Sequence, residues 1–298
     1  MRKIHLMMLW AFMLLSALVV APSALAQEPP KAKVLFFYRS AGFEHDPVKV
    51  QADGTTIAGN ALIQYGKKKN FDVVSTHDGS VFDGDINQYD AFVFYNSGHL
   101  LGPANEKSTV KGANPMTEAG FQKLLDAIKG GKGLVGIHSA SDAFLGKQNE
   151  NKVDLYTALI GARFVSHGPQ QFGTLTITEP AQFPHLQDSG KRITTWEEWY
   201  AMKEFQPDMH VLLIQETEGM DGGKNNSYQR PPFPSSWIRQ EGKGRVAYSA
   251  FGHDNRYFRN VENVRRIGEL IEWSLGRFNV DVTPNFEKVT PKGNLLTN

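Results

Sequence analysis

Residues 133–142 read GLVGIHSASD, and this stretch decides the fold. Its first five residues are apolar or glycine, a pattern that is typical of a short strand buried on both faces. His138 follows at once, and small residues come after it, as in the tight turn that presents one side chain at the top of an α/β sheet. The alternative interpretation is that Ser139 caps the following helix. In both cases the stretch predicts a buried strand that leads into a helical turn.

Comparable buried runs lie upstream and are separated by helical segments. The pattern predicts strands at residues 34–38, 71–75 and 91–95, and helices at 56–69 and from Asn114-Pro115 to Gly130-Gly131. In the second helix, Asn114 is the expected cap and Pro115 the first-turn proline. Strands that alternate with helices pair in parallel through right-handed crossovers. We therefore expect a doubly wound, mostly parallel α/β sheet flanked by helices, of the flavodoxin-like type.

The second half of the chain has a different pattern of predicted elements. It predicts strands at residues 172–178, 211–214, 237–240 and 245–251, and a helix at 260–275. The last two strands flank Glu241-Gly242-Lys243-Gly244, which is the signal of an added antiparallel hairpin. There is no internal repeat and no long linker, so we expect one domain over residues 27–277. Residues 278–298 are polar and contain proline, which predicts an extended C-terminal tail.

The N-terminus has the pattern of a secretory signal peptide. Arg2 and Lys3 precede an apolar run over residues 6–20, and Ala24-Leu25-Ala26 matches the small-x-small cleavage pattern. The run is shorter than the roughly 20 residues that span a bilayer, which favours cleavage over a permanent anchor. We expect a signal peptide at residues 1–26, a mature chain from about Gln27, and export to the periplasm or the medium.

Composition excludes several classes of function. The formal charge is +1, and loss of the two basic residues of the signal peptide changes it to −1. With no basic stripe left to neutralise phosphates, we expect no nucleic-acid partner and no stable membrane anchor. The chain has no cysteine. It therefore has no disulfide, no lipid-modified cysteine and no thiol nucleophile.

Several predicted strands end at a histidine. His45, His99, His138 and His253 follow four separate strands, whose carboxyl ends form the usual ligand-binding edge of such a sheet. From loops, His167 and the run Glu198-Trp199-Tyr200 are candidates to join them. By contrast, we interpret His77, His185 and His210 as ordinary solvated or capping residues.

The same residues carry a resemblance to a known family. Residues 42–46, 136–142 and 244–254 resemble the three motif blocks of the ThuA-like, or trehalose-utilisation, family, and residues 164–167 and 197–200 resemble two intermediate blocks. The blocks occur in family order between about residues 33 and 277. Two departures are Gly168, which separates His167 from Pro169, and Glu197, where the family often has aspartate.

The resemblance implies the fold of class I glutamine amidotransferases and a role in carbohydrate metabolism, with a disaccharide or a 3-keto sugar as the small-molecule partner. His138 stands where that class has its nucleophilic cysteine, so amidotransferase chemistry is excluded. The resemblance names neither the reaction nor the oligomeric state.

Three functions remain open. In the first, an enzyme uses His138 as base, His45 and His253 as donors, and Glu198 as orienting group or acid. Substrate contacts are then expected from His167, Tyr200, Ser139, Asp142, Asp254 and His99, whereas Trp199 is either a sugar-stacking residue or part of the core. In the second, the three histidines and a carboxylate bind a divalent metal, although the spacing lacks a compact metal motif. In the third, the protein binds sugar in the periplasm without catalysis.

Overall fold

The computed structural model describes residues 31–144, 154–178 and 180–296. The predicted signal peptide at residues 1–26 lies outside the described residues. Within these ranges, none of the helices combines the length and the apolar character needed to cross a bilayer.

The described residues form eleven strands and seven α-helices. The strands are β1 (Ala32–Phe37), β2 (Phe71–Thr76), β3 (Ala91–Phe94), β4 (Gly133–Ile137), β5 (Arg163–His167), β6 (Gln171–Ile177), β7 (Arg192–Glu197), β8 (Tyr200–Lys203), β9 (His210–Gln215), β10 (Phe233–Glu241) and β11 (Gly244–Ser249). The helices are α1 (Ile57–Lys68), α2 (Glu118–Lys129), α3 (Leu155–Ile160), α4 (Pro184–Gln187), α5 (Asn255–Arg259), α6 (Val261–Ser274) and α7 (Phe286–Val289).

Nine strands form one sheet in the order β2-β1-β3-β4-β11-β10-β9-β6-β7. Neighbours from β2 to β11 pair in parallel, and neighbours from β11 to β7 pair antiparallel. The predicted mostly parallel sheet flanked by helices is therefore confirmed, and so is the hairpin of β10 and β11. The antiparallel part is larger than that hairpin, and a separate two-stranded sheet joins β5 to β8.

The start of α2 differs from the prediction. The helix begins at Glu118, and its cap is Thr117, whose side chain accepts a hydrogen bond from the Gly120 amide. Asn114 instead holds the preceding loop, because its side chain donates to Asp78 and its carbonyl accepts from the Gly79 amide. The proline pattern placed the helix start three to four residues too early.

The parallel strands form the buried centre of the domain. The apolar residues of β3 and β4 are completely buried, as the continuous runs in the sequence predicted. Residues 278–296 pack on the other half of the sheet. Asn285 accepts a hydrogen bond from the Val211 amide of β9 at 2.7 Å, and Phe286 of α7 is 3% exposed. These contacts tie the C-terminal segment to the core.

Candidate metal centre at the strand ends

Four predicted side chains meet at the carboxyl ends of the parallel strands. His45, His138, Glu198 and His253 each offer one ligand atom, and these atoms lie within 4.8 Å of one another. We call these four residues the four-residue centre. The three imidazole rings have centroids 4.7 to 5.4 Å apart. His45 follows β1, His138 follows β4, His253 follows β11, and Glu198 lies between β7 and β8.

His138 occupies a backbone corner. Its φ is +46°, in the left-handed region that L-residues adopt only at a cost, and β4 ends one residue earlier. This geometry is that of a strand-to-helix elbow, and Ser139 is buried and does not cap the following helical turn. The Nδ1 of His138 lies 2.7 Å from the Ala250 carbonyl, so Nδ1 carries the proton and donates it. The Nε2 therefore presents a lone pair to the centre when the ring is neutral.

The His45 loop is held close to the end of β3. Gly98 has a φ of +73°, and a Cβ there would lie 2.3 Å from the Gly42 nitrogen, so both the conformation and the space require glycine. The hydroxyl of Ser97 donates to the Phe43 carbonyl at 2.5 Å. On the other side, the Glu44 carboxylate accepts hydrogen bonds from the amide and hydroxyl of Thr109. His45 is consequently fixed in a buried position, 4% exposed.

Glu198 is the hub of the centre. Its Oε2 lies 2.9 Å from the Nδ1 of His253, 3.5 Å from the Nε2 of His138 and 4.0 Å from the Nε2 of His45. Its Oε1 lies 3.2 Å from the Nδ1 of His167. Among the described residues, Glu198 has no lysine or arginine at ion-pair distance, so its charge is met only by imidazole rings.

Burial and mutual contact set the charges of the centre. Burial, with His138 and His253 nearby, holds the pKa of His45 well below its ordinary value, so this ring is neutral. Burial alone would raise the pKa of Glu198, but contact with His138 and His253 more than offsets it and lowers that pKa. For His253, burial lowers the pKa and the Glu198 carboxylate raises it, with a raised pKa as the result. The centre thus combines a carboxylate with a neutral, buried imidazole.

The donor set fits a single divalent metal ion. Bonds of about 2.0–2.1 Å in a tetrahedral zinc site place ligand atoms about 3.3 Å apart. The Oε2 of Glu198 lies 2.9 to 4.0 Å from the three histidine nitrogens, a range that includes this value. The Nε2 of His138, which faces Glu198, is buried without a hydrogen-bond partner among the described residues. The Nδ1 of His253 lies 2.9 Å from the Glu198 carboxylate, which is its partner in the centre. Unpaired buried donors and acceptors are costly, and coordination would use them.

Comparison with known proteins identifies the family and supports the fold. Residues 33–274 match the family model ThuA, described as trehalose utilisation. The chain belongs to the ThuA family. Its membership links the protein to carbohydrate metabolism. No curated protein sequence matches the chain significantly.

Two solved ThuA-like structures share the fold. The ThuA-like protein from Bacteroides uniformis ATCC 8492 is 17% identical, with a TM-score of 0.56 over 85% of this chain and 95% of that one. The ThuA-like protein from Parabacteroides merdae ATCC 43184 is 14% identical, with a TM-score of 0.59 over 84% and 92%. At these identities the likeness concerns the fold alone.

In this ThuA-family chain, the two aromatic residues predicted near Glu198 are buried. Trp199 is 1% exposed and donates its Nε1 hydrogen to the Gln171 carbonyl, so it belongs to the core. Tyr200 stacks on His138 with ring centroids 4.0 Å apart and contacts Phe164 at 4.3 Å. Its hydroxyl lies 3.3 Å from the Nε2 of His45. Tyr200 therefore supports the histidine rings and has no ring face left for a sugar.

The remaining predicted site residues, His167, Asp142, Asp254 and His99, lie in different surroundings. His167 lies at the opening of the ThuA-family site: its side chain is 44% exposed, and its Nδ1 donates to the Gly168 carbonyl at 2.8 Å. Asp142 ends the helical turn that follows His138, and burial raises its pKa to about 6. Asp254 caps α5 and binds Arg256, whereas His99 is exposed and outside the four-residue centre. The structure thus brings His167 to the centre and leaves Asp254 and His99 with other surroundings.

The histidines that the sequence set aside have partners elsewhere. His77 lies 3.0 Å from the Tyr38 hydroxyl, the Nδ1 of the buried His185 is hydrogen-bonded to the Glu269 carboxylate at 2.7 Å, and His210 donates to the Thr283 carbonyl.

Sequence reasoning missed the role of Glu197. This carboxylate is 4% exposed and accepts hydrogen bonds from the backbone amides of Glu198, Gly252 and His253 at 3.0, 3.0 and 3.2 Å. It therefore fastens the end of β7, which carries Glu198, to the end of β11, which carries His253. The one sequence signal for this role was the presence of two adjacent glutamates, Glu197 and Glu198.

Proposed function

We propose that this ThuA-family protein is an exported enzyme that binds one divalent metal ion in the four-residue centre and acts on a disaccharide or its 3-keto derivative. The observation that carries the proposal is the convergence of four ligand atoms within 4.8 Å, three of them on histidines. Three histidines and one carboxylate are a common donor set for zinc and similar cations.

The orientation of the His138 ring supports metal binding. The Nδ1 of His138 is occupied by the Ala250 carbonyl, which fixes the tautomer with a free Nε2. A backbone carbonyl that orients a ligating histidine in this way is a regular feature of metal sites.

A metal ion in this position would polarise a carbonyl or hydroxyl oxygen of the sugar, or lower the pKa of a bound water. His167 supplies the proton transfer in this proposal. Its ring is half-exposed at the opening, its Nδ1 proton is held by the Gly168 carbonyl, and its other nitrogen is free to face the substrate. The hydrogen next to the carbonyl of a 3-keto sugar is acidified and is a natural target for such a base.

The test begins with metal analysis of the purified chain from Gln27 onward, before and after chelation. We expect about one equivalent of a divalent metal, lost in His138→Ala and retained in His77→Ala, a matched histidine outside the centre. Turnover of 3-keto disaccharides should then disappear with the metal and return with it. If the protein holds no metal and takes none up, the proposal is wrong. Tight sugar binding without any turnover would instead support the non-catalytic alternative.

Export is a separate part of the proposal and rests on Arg2, Lys3 and the apolar run at residues 6–20. Expression in a bacterial host followed by cell fractionation tests it. We expect a mature N-terminus near Gln27 outside the cytoplasm. A full-length cytoplasmic product would refute this part alone.

A further inference from the structure

One aromatic ring beside the four-residue centre is open to solvent. Phe43 is 66% exposed and packs edge-on against His45, with ring centroids 4.9 Å apart. Apart from the imidazoles of the centre itself, the described aromatic side chains that also contact His45 are Tyr95, which is 0% exposed, and Tyr200, which is 4% exposed. Among the described aromatic neighbours of His45, Phe43 is thus the ring with a free face.

Hydrogen bonds hold the loop that carries Phe43 on both sides of this residue. The Phe43 carbonyl accepts the Ser97 hydroxyl, and the carbonyl of the preceding Gly42 accepts the side-chain amide of Asn105 at 2.7 Å. The following residue, Glu44, is anchored to Thr109. Hydrogen bonds on both sides therefore fix the position from which the ring projects.

A lone exposed apolar residue is common on protein surfaces and needs no explanation by itself. Phe43 differs because it lies directly against a residue of the candidate metal centre. Ligand sites usually pair an apolar or aromatic surface with a few polar groups that fix orientation. A pyranose ring has the matching form, with C–H groups on its faces and hydroxyls around its rim.

We propose that Phe43 is the sugar-stacking platform of this site, and that it binds the C–H face of one neutral pyranose unit of the substrate. The inference rests on the proposed function, because it takes the substrate to be a sugar bound beside the four-residue centre. It assigns to Phe43 the stacking role that Trp199 and Tyr200, both buried, are unable to fill.

The experiment compares Phe43→Ala and Phe43→Trp with the unaltered protein and with Phe172→Ala. Phe172 is a matched control because it is 68% exposed and pairs with Trp196 on β6 and β7, apart from His45. Each protein is analysed for metal content, and its affinity for trehalose and 3-keto-trehalose is measured by calorimetry. Loss of an aromatic contact of this kind is worth roughly a five- to tenfold change in affinity.

We expect Phe43→Ala to lose about that factor in sugar affinity with unchanged metal content, while Phe43→Trp stays within about twofold and Phe172→Ala is unaffected. Equal affinity of Phe43→Ala and the unaltered protein would overturn the inference and leave the proposed function standing. Loss of metal in both Phe43 variants would also overturn it, because the ring would then act by packing on His45. If the unaltered protein binds neither metal nor sugar, the proposed function itself is refuted.

Discussion

Glu197 offers the sharpest test of how the site is held together. Replacement by alanine would leave two buried backbone amides, of Glu198 and Gly252, and the partly buried amide of His253 without their acceptor. A net hydrogen bond contributes about 0.5–1.5 kcal/mol, and a buried donor left unpaired costs about 1–3 kcal/mol. For three amides at about 1–3 kcal/mol each, we expect the free energy of unfolding to fall by about 3–9 kcal/mol. This is a large part of the 5–15 kcal/mol typical of a domain.

Because such a variant is close to unfolding, Glu197→Gln is the more informative change. It keeps one carbonyl oxygen and replaces the other with an amide group, so we expect a loss of about 1–3 kcal/mol. Urea unfolding followed by tryptophan fluorescence measures it. Metal affinity, measured by competition with a chelator, should fall about 10- to 100-fold, as is usual when a group that orients ligands is removed.

The control is Glu287→Ala, which removes an exposed carboxylate from α7 and should change stability by less than about 0.5 kcal/mol. If Glu197→Gln unfolds at the same urea concentration as the unaltered protein and binds metal equally well, the carboxylate does not join the two strand ends. The reasoning about Glu198 and His253 would then be refuted.

Two further predictions concern the neighbouring loops. Burial raises the pKa of Asp142 to about 6, above about 3.9 in an unfolded chain, so the protein loses stability as the pH rises through 6. Near pH 8, Asp142→Asn should therefore have a free energy of unfolding up to about 3 kcal/mol higher than that of the unaltered protein, and below about pH 4 the two should be equal. A difference in the free energy of unfolding that does not change with pH would contradict this. Gly98→Ala should lower the free energy of unfolding by more than about 1 kcal/mol, because of its positive φ and the approach of Gly42, and an unchanged melting temperature would argue against that cause.

The parallel half of the sheet was predictable because its signals are local. Strands β1, β3 and β4 are continuous apolar runs, and parallel pairing places their carboxyl ends at one edge whatever the details of the loops. That rule was sufficient to bring His45, His138 and His253 together from sequence. It was not sufficient for His99, since the chain turns at Gly98 in a left-handed conformation and His99 is left exposed.

Other features depend on long-range packing and were not predictable. The burial of Trp199 and Tyr200 is decided by their contacts with Gln171 and His138, which are distant in sequence. The acceptor role of Glu197 appears only when the end of β7 meets the residues that follow β11. Phe43 was part of a recognised motif, but no sequence pattern distinguishes an exposed phenylalanine from a buried one in such a loop.

The spacing of the four-residue centre along the chain has a consequence for how the protein is made. Its members span residues 45 to 253, so a nascent chain carries the first histidine long before the last has been synthesised. Contacts between such distant segments form slowly and late in folding. Truncated or misassembled copies would lack at least one ligand and would bind metal poorly. On the proposal above, metal content would therefore measure the fraction of molecules in a preparation that have reached the complete native state.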